Sequence, residues 1–226
     1  MKIGILVTGH PPDELYDQFG EYDGMFRTLL DGNDFEFETF FVVDGQFPSD
    51  ALQADGWIIT GSRHGAYEDH PWIPPLEDLI RAIWDSRRPL IGVCFGHQII
   101  AQALGGKVEK FKGGWAVGPT EYALDGDAVT LNAWHQDQVV ERPECAQVTG
   151  TNDFCENAML AYGDSIWTVQ AHPEYGGDFI AGLMRTRGKG VVPDALLKDA
   201  ADNADKPDDN AVIGRYMANF LKKARG

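Results

Sequence analysis

The sequence predicts an α/β protein with a mostly parallel sheet, helices on both faces of that sheet, and an antiparallel extension. Three observations predict it. Apolar strand-like runs alternate with helical periodicity through the first half of the chain, the βαβα order that makes a parallel sheet. Beyond Gly106 the pattern turns to short strands separated by turn residues such as Asp125-Gly126 and Tyr162-Gly163-Asp164. Between these regions, Cys94 stands where an apolar run gives way to helical spacing, as strand-to-helix junctions of such sheets require.

Taken in order, Met1 to Gly9 is an apolar segment too short for a signal peptide and reads as the first strand. Pro11 to Leu30 is mixed and charged, with room for a helix. Phe35, Phe37, Thr39 and Phe41 alternate with Glu36, Glu38 and Phe40, which predicts a strand. Trp57 to Thr60 is a short strand ending at Gly61-Ser62. Leu76, Leu79, Ile80, Ile83 and Trp84 fall on one helical face, entered through Pro74-Pro75. Leu90, Ile91 and Val93 form the strand before Cys94, and Ile99, Ile100, Ala103 and Leu104 the helix after it. Gly105-Gly106 closes that helix. Met159–Ala161 and Ile166–Thr168 flank a turn like a hairpin. Asp199 to Asp209 is acidic, contains Pro207 and is expected to be a solvated loop. Val212, Ile213, Tyr216, Met217, Phe220 and Leu221 mark a closing helix. No repeat and no internal boundary appears, so residues 1–226 are expected to form one domain.

A net charge of −16 argues against nucleic acid and anionic membranes as partners. No apolar run reaches the ~18 residues that span a bilayer. Three cysteines, none in a C-x-x-C pair, give no disulfide framework. A cytoplasmic, reducing location is expected.

Gly92 and Gly96 bracket Cys94, which permits the sharp turn of a nucleophile elbow with Cys in place of Ser. The helix N-terminus there favours thiolate over thiol. Phe95, the first residue of the helix, offers a backbone N–H to a developing oxyanion. Downstream, Trp167 to Gln170 reads as a strand running into Ala171-His172-Pro173-Glu174. In extended chain His172 and Glu174 point the same way. A base with its orienting carboxylate two residues on supplies the other two members of a triad. His97 lies on the elbow's own helix without such a carboxylate and is read as structural. His10, His64 and His70 lie in turn-like segments without metal-ligand spacing, so no catalytic metal and no cofactor is expected.

These motifs resemble class I glutamine amidotransferases, whose pattern is G-x-C-x-G-x-Q followed much later by H-P-E. Here they are Gly92, Cys94, Gly96 and Gln98, then His172, Pro173 and Glu174. Ala103 to Val108, Gly114-Trp115, His135-Gln136-Asp137 and Tyr175 extend the resemblance toward the stand-alone γ-glutamyl peptidases and GMP-synthase-like proteins. The resemblance implies a three-layer, flavodoxin-like αβα fold and cleavage of a γ-glutamyl amide through a thioester on Cys94. It places Gly61 beside the nucleophile as the second oxyanion donor, with Ser62 next to it at the substrate, as a substrate-binding residue. It assigns Gln98, one turn past Cys94, to binding the substrate's α-amino and α-carboxyl groups. It also places His135 and Gln136 at a substrate-contacting segment, where many glutaminase domains carry smaller residues. Two activities fit. One is a self-sufficient γ-glutamyl hydrolase acting on glutamine or a γ-glutamyl peptide. The other is a glutaminase subunit passing ammonia to a separate synthetase.

Overall fold

Five parallel strands form one half of the central sheet in the computed structural model, which describes residues 1–223. They are β1 (Lys2–Val7), β2 (Glu36–Phe41), β3 (Gly56–Ile59), β4 (Leu90–Val93) and β11 (Ile166–Val169). Their order is β2-β1-β3-β4-β11, each pair parallel. This is the doubly wound order 2-1-3-4-5, in which ligands sit at the carboxyl ends of the strands. The sheet continues antiparallel through β10 (Met159–Tyr162), β9 (Ala146–Thr151), β6 (Ala116–Leu124) and β7 (Asp127–His135).

Alternation along the parallel strands divides the core between the two faces. Leu6, Trp57, Ile59 and Leu90 pack with helices α3 (Ile73–Asp85) and α4 (Phe95–Ala103). Ile5, Val7, Ile58, Ile91 and Val93 pack with α2 (Tyr22–Leu29) and α7 (Asn210–Lys223). This makes three layers, helix–sheet–helix. Pro74-Pro75 sit in the first turn of α3, where their missing N–H groups cost nothing. Gly105, at φ +96°, ends the helix after Cys94.

Four details differ from the sequence expectation. The stretch from Pro11 to Leu30 holds two helices, α1 (Asp13–Phe19) and α2, because Gly20 at φ +69° ends the first. Strands β5 (Lys107–Lys110) and β8 (Asp137–Glu141) form their own two-stranded ribbon instead of joining the main sheet. The expected loop at 199–209 begins as helix, since α6 (Asp194–Asp202) covers its first four residues. That helix buries only Ala200, against the backbone at Gly118, where a Cβ would come within 2.8 Å of the Ala200 methyl. One small buried residue leaves almost no periodic signal. A third cluster, not foreseen, gathers α1, α6 and α5 (Gly177–Leu183) around Leu15, Tyr175, Phe179 and Leu183.

Candidate active site

Cys94 lies between β4 and α4 with φ +53° and ψ −102°, a positive-φ conformation that non-glycine residues adopt only under constraint. The constraint comes from the two glycines beside it. A Cβ on Gly92 would lie 2.5 Å from the Gly96 carbonyl oxygen, and one on Gly96 would lie 2.4 Å from the Ile59 oxygen. Only glycine at both positions lets the helix leave the strand this steeply. The Cys94 N–H donates to the Val169 carbonyl, 2.9 Å away, and its carbonyl accepts the first helical bond from Gln98. The residue is 6% exposed at the end of a helix whose first N–H groups lack intrahelical partners.

His172 and Glu174 follow β11, and the chain there is held by a bridge in which the His172 N–H donates to the Asn132 carbonyl at 2.9 Å. The expected common orientation is observed. His172 Nδ1 lies 2.8 Å from Glu174 Oε1, both side chains almost wholly buried. Burial alone would lower the imidazole pKa, but the charges of Cys94 and Glu174 and hydrogen bonds to both outweigh it, and the group is raised to about 10. Tyr175 stacks flat on the ring at 3.9 Å between centroids and 5° between planes. In the sequence only its position directly after Glu174 marks it; the stacking has no local signature.

Gly61 approaches this pair closely. A Cβ there would come within 2.9 Å of His172 Cε1 and 3.7 Å of Cys94 Cβ. Two buried threonines, unmarked by any sequence motif, hold the turn. Thr8 Oγ1 donates to the Thr60 carbonyl at 2.9 Å, Thr60 Oγ1 donates to the Gly61 carbonyl at 3.1 Å, and the Thr8 N–H donates to Thr60 Oγ1 at 3.1 Å. Fixing both carbonyls fixes the planes of the Thr60–Gly61 and Gly61–Ser62 peptides, and with them the directions of the Gly61 and Ser62 N–H groups. Ser62 Oγ accepts the His64 N–H at 3.1 Å.

Gln98 is buried and donates its amide to the Asp137 carbonyl at 3.0 Å and to Gln170 Oε1 at 3.2 Å. His135 lies at the end of β7 with Nδ1 3.2 Å from the Asp137 carbonyl. Burial and the neighbouring His172 depress it to about 3, so it is neutral, and its Nε2 has no partner among the described residues. Gln136 is tied to Phe111 through its backbone carbonyl at 3.2 Å. His97 is fully buried against Thr168 Oγ1 at 2.8 Å, and burial drives it down to about 3. It is a neutral packing residue directed at β11.

Cys94, His172, Ser62, Gln98, His135 and Gln136 all line one cleft of about 520 Å³. Gly61 adjoins it through its contact with His172, and Phe95 supplies the backbone behind Cys94. The cleft also carries Arg63, Lys110, Arg187 and Lys189, which no motif in the sequence singles out. Arg187 lies in a π-helical turn at Met184–Gly188, continuous with α5, and Lys189 directly follows that turn. Such a constellation can form a thioester. A strained thiol faces an imidazole held by a carboxylate, with unpaired backbone N–H groups at a helix N-terminus.

Residues 38–178 match the family model for class I glutamine amidotransferases. Gamma-glutamyl peptidase 4 of Arabidopsis thaliana is 32% identical over 97% of this chain and 95% of its own length. A glutamine-hydrolyzing GMP synthase subunit of Methanopyrus kandleri is 29% identical over 77% of this chain and 98% of its own length. A glutamine amidotransferase from Thermotoga maritima superimposes with a TM-score of 0.77 at 20% identity, covering 98% of this chain and 97% of that one. Among the described residues no helix is long and apolar enough to cross a membrane. With the elbow, the downstream histidine–glutamate pair and the sheet order in agreement, the chain belongs to the class I glutamine amidotransferase family of cysteine-nucleophile hydrolytic enzymes.

Proposed function

We propose that this chain, folding as one domain, is a self-sufficient γ-glutamyl hydrolase that cleaves γ-glutamyl peptides in preference to glutamine. Cys94 attacks the γ-carbonyl carbon, and the oxyanion that forms is met by the N–H groups of Phe95 and Gly61. His172, held in orientation by Glu174, donates its proton to the leaving nitrogen. The γ-glutamyl thioester is then hydrolysed by water, which His172 deprotonates, and glutamate leaves. Gln98, with Ser62, His135 and Gln136, holds the α-amino and α-carboxyl end of the γ-glutamyl group.

The observation that carries the preference is electrostatic. In a chain of net charge −16, the cleft is lined by four cations, Arg63, Lys110, Arg187 and Lys189, against two carboxylates, Glu68 and Asp137. Glutamine presents only its own α-carboxylate and releases neutral ammonia, so one cation suffices for it. A peptide leaving group brings a carboxylate, and the four cations suit it. The relationship to γ-glutamyl peptidases over nearly the whole chain supports the same reading. The relationship to a GMP synthase subunit supports the alternative of a glutaminase that delivers ammonia to a synthetase.

Glutamate release from glutamine and from glutathione separates the two, with Cys94→Ala as control. Cys94-dependent cleavage of glutathione well above that of glutamine is expected. Activity on glutamine alone, or only after a synthetase is added, would establish the alternative.

A further inference from the structure

We infer that His64, Glu68 and His70 form a binding site for one divalent transition-metal ion of the zinc class at the rim of the cleft. The three residues lie on the loop that leaves β3 and enters α3. Their donor atoms all fall within 4.8 Å of one another. Glu68 Oε2 is 2.7 Å from His70 Nε2 and 3.4 Å from His64 Nδ1. Donors about 2.0–2.1 Å from a tetrahedral metal are separated by roughly 3.3 Å, so the present distances bracket what an ion requires. As it stands, one carboxylate oxygen is approached by two imidazoles whose centroids are only 4.2 Å apart. A cation in place of their protons satisfies all three groups at once.

The ligands are held in place by neighbours, as the ligands of built metal sites are. The His70 ring stacks on Trp72 at 5.8 Å and 12°, and Trp72 packs on Phe95 at 5.4 Å. The His64 backbone is tied to Ser62 Oγ, and the Glu68 N–H donates to the Gly65 carbonyl at 3.0 Å. Two imidazoles and one carboxylate select zinc, cobalt or nickel over calcium or magnesium, which take oxygen donors. Three protein ligands leave open positions. His64 and Glu68 line the cleft that holds Cys94, which sets the site beside it. The sequence shows no ligand spacing here because the donors, at 64, 68 and 70, converge through an irregular turn and share no helix or strand face.

The test uses the full chain carrying Cys94→Ser, which removes the thiol beside His172 as a competing ligand. Titration with Co²⁺ and Zn²⁺, followed by visible absorption and by competition with a chromophoric chelator, is expected to show one equivalent bound. His70→Gln and Glu68→Gln should each weaken it on the order of tenfold or more. A second measurement, independent of whether those variants fold, uses the unsubstituted chain: Zn²⁺ should protect His64 and His70 from diethyl pyrocarbonate, mapped by peptide mass spectrometry. Absence of stoichiometric binding, binding unchanged by both substitutions, or protection at His10 or His172 in place of His64 and His70 would overturn the assignment.

Discussion

In the proposed mechanism the chemistry turns on His172, and its protonation sets the pH behaviour expected. Its pKa in the fold is raised from 6.5 to about 10 because, against its burial, the Cys94 and Glu174 charges favour the imidazolium. The protonated form therefore stabilises the folded chain, and that contribution is fully present below about pH 6.5 and lost as pH rises through about 10. Chemical denaturation should show the stability gap between wild type and His172→Gln shrinking from pH 6 to pH 10.5. A gap that widens would contradict the ion-pair reading. In kinetics, the alkaline limb of kcat/KM should lie well above the usual imidazole range, whereas a limb near 6.5 would show that the pair does not persist. Replacing His172 by Ala should lower kcat by on the order of 10²–10⁴-fold, the usual contribution of a positioned acid–base group.

At the scale of the element, the geometry is made by backbones crossing closely and by two threonines. Gly96→Ala would push a methyl to 2.4 Å from the Ile59 carbonyl oxygen of β3, a backbone atom that cannot yield unless the strand moves. Overpacking of this kind costs about 1–3 kcal/mol, measurable as a lowered denaturation midpoint, and kcat should fall as Cys94 is displaced. Unchanged stability would show that α4 shifts freely. Thr8→Val keeps the volume and removes the hydroxyl that holds the Thr60 carbonyl. Because it disturbs the proposed Gly61 oxyanion donor without removing it, kcat should fall by less than the ~10²–10³-fold of a lost donor, with KM little changed. A rise in KM at constant kcat would place Thr8 in substrate binding instead. The strand-to-helix elbow and the His-Pro-Glu segment are both legible, because each is written in consecutive residues: glycines two either side of a cysteine, and a histidine with a carboxylate two residues on. Thr8 and Thr60 are not, since a hydroxyl pair 52 residues apart has no local pattern.

For the molecule as a whole, the contrast is between a strongly acidic chain and a cleft in which four cations, Arg63, Lys110, Arg187 and Lys189, outnumber the carboxylates of Glu68 and Asp137. Arg187→Glu should raise KM for glutathione more than KM for glutamine, and added salt should weaken the peptide reaction more steeply than the glutamine reaction. Equal effects on both substrates would remove the electrostatic basis for the peptide preference. The sequence by itself determined the layer order, the elbow at Cys94 and the His172–Glu174 pair, because each rests on periodicity or spacing within a few residues, and it pointed to the family through the resemblance its motifs carry. Tertiary structure decided what converges from distant segments. It brought Arg63, Lys110, Arg187 and Lys189 around one cleft, laid Tyr175 on His172, separated β5 and β8 from the main sheet, and gathered His64, Glu68 and His70. Local sequence fixes the direction in which each chain segment presents its side chains. Only the packing of those segments fixes which of them meet.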